Sequence, residues 1–159
     1  GGGAPVGPEG VTVTNPNGIG LFVRSIGSRC SVRLASCAIS DCKFSGVIAY
    51  GSRTSLEMVD CLVLRNGWSG VHAQRDARVR ISGASSRIHS NGVYGLSSYS
   101  RGSIKVSGLG TKPALTRQSG GDRFFSGATT SALFSETQDH PNKRGNVGEY
   151  DGGSVVFLS

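Results

Sequence analysis

The chain has 159 residues, with 25 glycines, four cysteines, only 17% charged residues and a formal net charge of +7. That length suits one domain, and no apolar run approaches the roughly 20 residues a membrane-spanning helix needs. Abundant glycine with little charge can mark disorder, but the apolar residues here are periodic, which excludes that reading for most of the chain.

Residues 1–10 are rich in glycine and proline and read as a flexible arm. The opening Gly1-Gly2-Gly3-Ala4-Pro5 has no initiating methionine and looks like a processed, trimmed or engineered end. Residues 11–108 then repeat. Gly20-Leu21-Phe22-Val23, Gly46-Val47-Ile48-Ala49, Gly70-Val71-His72-Ala73 and Gly95-Leu96-Ser97-Ser98 align, with their glycines 26, 24 and 25 residues apart. Each unit carries a second alternating segment: Ser31–Leu34, Ser55–Met58, Arg78–Ile81 and Ser103–Val106. A third precedes the next glycine, so that Val13, Ile39, Val63 and Ile88 share one register and Val11, Cys37, Cys61 and Ser86 another.

Alternation at period two places one set of side chains inward and the other outward. Three short strands per unit, repeating at this period, predict a parallel β-helix solenoid of about four coils. An antiparallel sandwich is the competing all-β architecture, but it does not require residue classes to match every 25 positions. Val13, Leu21, Val23, Val32, Leu34, Ile39, Val47, Leu56, Met58, Val63, Val71, Val79, Ile81, Ile88, Leu96, Ile104 and Val106 are the predicted core. Four residues before each repeat glycine stand Pro16, Cys42, Asn66 and Asn91. Asn66-Gly67 and Asn91-Gly92 read as tight turns at a corner of the coil, with asparagine tolerating left-handed backbone.

Past Leu109 the register is lost. Residues 109–151 read as a long loop or cap, with Phe124, Phe125, Leu133 and Phe134 available to cover the end of the solenoid. Residues 152–159 return to the pattern. Gly153-Ser154-Val155-Val156-Phe157 matches Gly102-Ser103-Ile104-Lys105-Val106 and predicts a final strand.

The Val-x-Ile-Ser-Asp-Cys-x-x-Ser-Gly-Val style of these coils resembles the right-handed parallel β-helix repeats of the pectin-lyase-like superfamily. It is also similar to the repeats of alginate-epimerase-type and F-box β-helix proteins. The resemblance covers residues 11–108 and, more weakly, 152–159. It implies a right-handed solenoid but no single activity, since the superfamily holds lyases, hydrolases and epimerases beside non-catalytic members. Lyases of this kind pair a basic Arg or Lys with an Asp/Glu cluster that holds Ca²⁺. Hydrolases need two carboxylates on neighbouring coils.

Neither arrangement is found here. The outward ladders of the first segment are Phe22, Ile48, His72, Ser97 and Arg24, Tyr50, Gln74, Tyr99, without a carboxylate; Asp76 stands alone nearby. No catalytic residue, metal site or cofactor is therefore assigned. Arg24, Tyr50, His72, Gln74 and Tyr99 form the face best suited to a ligand, because stacked tyrosines around an amide suit sugar rings. The same residues also serve as ordinary cross-strand packing. His72 and His89 read as outward strand residues and His140 as a loop residue.

Arg33, Arg78, Arg80 and Lys105 form a basic stripe, interrupted by Glu57, that can meet an acidic polysaccharide. Nucleic acid is disfavoured, because aromatics do not interleave with these cations. The cysteines lack zinc-site spacing and are expected reduced, Cys37 and Cys61 buried and Cys42 accessible at its turn.

The favoured reading is a non-catalytic β-helix module that binds a protein or glycan, or a subunit of a larger assembly. A further protein chain is the expected partner, because the ends of a solenoid expose unpaired strands. The alternative is a polysaccharide-active enzyme of uronate lyase or epimerase type.

Overall fold

A computed structural model describes Gly7, residues 9–108 and residues 147–158. Among these the structure is all β, a solenoid whose coils each contribute one strand to each of three parallel sheets. The first sheet stacks β1 (Thr12–Thr14), β4 (Ala38–Ser40), β7 (Leu62–Leu64) and β10 (Arg87–His89). The second stacks β2 (Leu21–Arg24), β5 (Val47–Tyr50), β8 (Val71–Gln74), β11 (Leu96–Tyr99) and β13 (Val147–Tyr150). The third stacks β3 (Cys30–Ala35), β6 (Thr54–Val59), β9 (Arg78–Ser82), β12 (Ser103–Val106) and β14 (Ser154–Phe157).

The repeat seen in the sequence is the pairing register. Val13, Ile39, Val63 and Ile88 align along the first sheet. Leu21, Val47, Val71 and Leu96 align along the second. Val32, Leu56, Val79, Ile104 and Val155 align along the third. All of the predicted core residues lie in one hydrophobic cluster or pack against it. Leu34, Ile39, Leu56, Met58, Ile81, Ile88, Leu96 and Ile104 are fully buried, each worth about 1.5–3 kcal/mol relative to exposure. The final strand falls where the match of residues 153–157 to 102–106 placed it, with Ser103 opposite Ser154 and Ile104 opposite Val155.

One row of the interior is polar. Asn66 donates from its side-chain amide to Asn91 Oδ1 at 3.0 Å and to Ile39 O at 3.4 Å. Asn91 donates to Val63 O at 3.3 Å. Asn66 Oδ1 in turn accepts the Cys42 backbone N–H at 3.2 Å. The asparagines thus satisfy the backbone at the bend that leads from each strand of the first sheet to the next repeat glycine. They are not the left-handed residues of that corner. Asp41, Arg65 and Ser90, one position earlier, take that conformation, with φ of 55°, 51° and 55°. The amide is needed inside, where carbonyls have no water, and the preceding residue absorbs the backbone turn.

Cys42 occupies the same inward row and is buried at 2% exposure, so the expected accessible thiol is not at a surface turn. The first coil differs as well. Asn15 O accepts Lys43 N just as Cys42 O accepts Gly67 N, so Asn15 rather than Pro16 matches this row. The first turn carries one extra residue.

This row also explains the repeat glycines. A Cβ on Gly70 would lie 2.8 Å from Asn91 Nδ2 and 2.8 Å from Gly95 O, and one on Gly46 would lie 2.7 Å from Asn66 Nδ2. There is no room for a side chain where the polar row meets the next coil.

Two boundaries differ from the sequence reading. Glu9 bridges Ala35, and Gly10 N donates to Ala35 O at 3.0 Å, so the arm is already tied to β3 at residues 9–10. Within the span read as loop, residues 147–150 form β13, paired with β11. The alternation was hidden because Glu149 stands in the inward register of Ala49, Ala73 and Ser98. There its carboxylate accepts the Val155 N–H at 2.7 Å, a polar group in an inward position. Phe124, Phe125, Leu133 and Phe134 lie outside the described residues.

None of the four cysteines is in a disulfide. Cys37, Cys42 and Cys61 each donate to the carbonyl two residues earlier, at 3.2, 3.4 and 3.4 Å. Desolvation raises the thiol pKa of Cys42 and of Cys61. In timed labelling of native protein with mass-spectrometric readout, Cys30, which is only half-buried, should react first. Cys37, Cys42 and Cys61 should react only as the protein unfolds; early modification of Cys42 would contradict its place in the interior row.

Candidate functional site

The outward face of the second sheet ends at the corner that precedes each repeat glycine. There Phe44, Trp68 and Val93 stack, Trp68 N donating to Phe44 O at 3.2 Å and Val93 N to Trp68 O at 3.1 Å. The Phe44 and Trp68 rings meet edge to face, their centroids 5.0 Å apart. Trp68 nevertheless remains 56% exposed.

Between this corner and the sheet lies an open pocket of about 280 Å³. Trp68, Tyr94 and Tyr99 supply aromatic surface to it, and Ile48 and Val93 add aliphatic surface. Ser45, Ser69, His72, Gln74 and Ser97 supply the polar groups. Among the described residues that line it there is no Lys, Arg, Asp or Glu, and His72 is its titratable group.

The polar groups are connected. His72 and Ser97 are register partners on adjacent strands, and His72 Nδ1 lies 2.6 Å from Ser97 Oγ. Ser97 Oγ lies 3.0 Å from Ser69 Oγ. The chain of hydrogen bonds runs from the sheet to the corner and buries Ser97 to 4% exposure, although its position on the strand is outward. Burial lowers the His72 pKa from its ordinary 6.5, and the Gln74 side chain opposes that shift. The imidazole is therefore neutral at pH 7, one ring nitrogen donating and the other accepting.

Of the ligand-face residues read from the sequence, His72, Gln74 and Tyr99 line the pocket. Tyr50 is in register with Gln74 and Arg24, but Tyr50 and Arg24 are drawn into a separate cluster. The Arg24 and Arg75 guanidinium groups each lie 5.4 Å from the centre of the Tyr50 ring, and Phe22 tilts against it at 6.2 Å. The Tyr50 face is thus already engaged by two cations. Trp68 was missed by sequence reasoning, which followed the strands and not the corners. The signal was available: the residues two before the repeat glycines are Phe44, Trp68 and Val93.

The basic stripe lies on the third sheet. Arg33, Glu57, Arg80 and Lys105 are aligned across it. Arg33 pairs with Glu57 at 3.3 Å, while Arg78, Arg80 and Lys105 are exposed. Other charges are paired at the corners. Arg65 donates two hydrogen bonds of 2.8 Å to Asp41 and holds its carboxyl at about 2. Arg101 donates two hydrogen bonds to Asp76, at 2.9 and 3.0 Å, and lowers its carboxyl pKa. That pair removes Asp76 as an available acid. His89 contacts Ser90 Oγ at 2.9 Å, and His140 lies outside the described residues. Among the described residues no cluster of His, Cys, Asp and Glu has metal-site geometry, and no helix is long and apolar enough to cross a membrane.

In comparisons with known proteins, no family profile, curated protein sequence or solved structure matches this chain. The site is accordingly read from its own chemistry.

The His72 titration is open to direct measurement. Its imidazole resonances should titrate with a midpoint below 6.5, and Gln74→Ala should move that midpoint lower still, because Gln74 favours the charged form. A midpoint at or above 6.5 in the folded protein would show that the ring is solvated and outside the hydrogen-bonded chain.

Proposed function

We propose that this protein is a non-catalytic β-helix module that binds a saccharide in the pocket between the Trp68 corner and the second sheet. The observation that carries the reading is exposed aromatic surface beside a row of hydroxyl, amide and imidazole groups. Sugar rings present apolar C–H faces and hydroxyl edges, and Trp68 and Tyr99 suit the first while Gln74 and His72 suit the second. The pocket volume is at the lower edge of the ~300–1,000 Å³ common for ligand sites, which suits about one ring. Acid–base cleavage of a glycan would need carboxylates or a poised acid and base at that ring. Among the described residues the lining contains no carboxylate, so the lyase or epimerase alternative has less support.

Trp68 is the chain's one tryptophan, so its fluorescence reports directly on the pocket. An oligosaccharide that binds there should perturb this emission. By calorimetry, Trp68→Ala should weaken binding about tenfold, near 1.4 kcal/mol, without changing the melting temperature by more than a few degrees. Unchanged affinity in a folded Trp68→Ala protein would remove the pocket from consideration.

A second observation favours contact with another protein chain. Among the described residues β1 and β2 pair on one side only, and the outer side of β3 is met at Ala35 by the Glu9 bridge. Val13, Leu21 and Val32 are only partly buried there, unlike their register mates in the next coil. Val11, Phe22 and Ile26 stand 43%, 49% and 84% exposed beside them. A partner that adds a strand to this edge would cover both the unpaired backbone and the apolar side chains. Light scattering across a concentration series should then show association that a Phe22→Lys, Ile26→Lys double variant abolishes. A strictly monomeric protein at all concentrations would leave self-association without support.

A further inference from the structure

The saccharide-binding reading leaves the class of sugar open, and the net charge of +7 draws attention to acidic polymers. The position of the charges leads elsewhere. Three exposed cations of the stripe, Arg78, Arg80 and Lys105, stand on the third sheet, whereas the pocket belongs to the second. Arg24 and Arg75, the cations placed by sequence beside the pocket strands, both lie over the Tyr50 ring. Among the described residues the pocket contains no Lys or Arg, and burial disfavours the charged form of His72.

We infer that the pocket selects a neutral, hydroxyl-bearing sugar ring and rejects a uronate. The inference rests on the saccharide-binding reading and adds the chemical class of its ligand. A uronate carboxylate entering this pocket would lose hydration without gaining a cation. Removing a charge from water in that way costs more than hydrogen bonds from hydroxyl or amide groups return. A sugar hydroxyl faces no such loss. It can donate to one acceptor and accept from one donor, and the pocket offers both kinds. Gln74 carries an amide oxygen and an amide nitrogen. Neutral His72 carries one donor and one acceptor nitrogen, with Nδ1 engaged by Ser97. A site built to hydrogen-bond hydroxyls also discriminates against rings that lack them, because its own polar groups would then be buried unpaired. The stacked aromatic surface adds affinity that does not depend on charge.

The test isolates the carboxylate. Trigalacturonate and its fully methyl-esterified form share ring, linkage and length and differ in charge and in the ester methyl groups. Both would be titrated against the native protein, together with neutral gluco-, manno-, galacto- and xylo-configured trisaccharides, with Trp68 fluorescence and calorimetry as readouts. The expected result is binding of at least one neutral ligand about tenfold or more tighter than trigalacturonate. Affinity should change little between low and high salt, since no ion pair forms. Gln74→Arg, which places a cation at the pocket, should reduce or reverse the preference. Equal binding of acid and ester, or salt-sensitive binding of the acid alone, would overturn the inference and leave the saccharide reading intact. No binding of any saccharide at millimolar concentration would overturn both.

Discussion

Everything in this structure depends on stacking in register. Each coil makes its backbone hydrogen bonds to the coil before and after it, so a residue's neighbours are its equivalents one repeat away. Strands lie about 4.8 Å apart in that direction, which leaves no tolerance for a slip of one residue without turning the core outward. The interior polar row makes the constraint stricter. Asn66 bonds to Asn91 in the next coil and to Ile39 O in the previous one. The glycines at Gly46 and Gly70 are as small as they are because that row passes beside them. Cys42 interrupts the row of amides with a thiol that bonds only locally, to Ser40 O.

The same stacking builds the site. A ladder brings side chains of similar position into contact without any need for sequence proximity, and so His72 meets Ser97 across 25 residues of chain. The pocket arises where a ladder on the strand face meets another at the corner. Strand-face residues supply hydrogen-bonding groups in regular array, and corner residues, free of the pleat, supply Trp68 and Tyr94. The division of charge follows from the sheets being separate faces: cations gathered along the third sheet remain in water, and the pocket on the second sheet is left neutral. A net charge of +7 therefore describes the surface of this protein better than its pocket.

The period near 25, the alternation within each segment and the match of residues 153–157 to 102–106 were enough to determine the parallel solenoid, its core and its last strand. They are legible because burial acts on every coil alike, and repeated burial leaves a repeated apolar pattern in the chain. Residues 147–150 escaped because Glu149 breaks that pattern, its carboxylate accepting a backbone N–H. The Asn and Cys row was visible as a register but not as an interior feature, since an asparagine before glycine also has the composition of an exposed turn. His72, Gln74 and Tyr99 could be placed on one face from spacing alone. Their separation from Arg24 and Tyr50, the approach of Ser69 to Ser97 and the exposure of Trp68 were decided only by tertiary structure. Spacing along the chain specifies which ladder a residue joins, whereas the direction a side chain leaves that ladder depends on what packs beside it from the neighbouring coils.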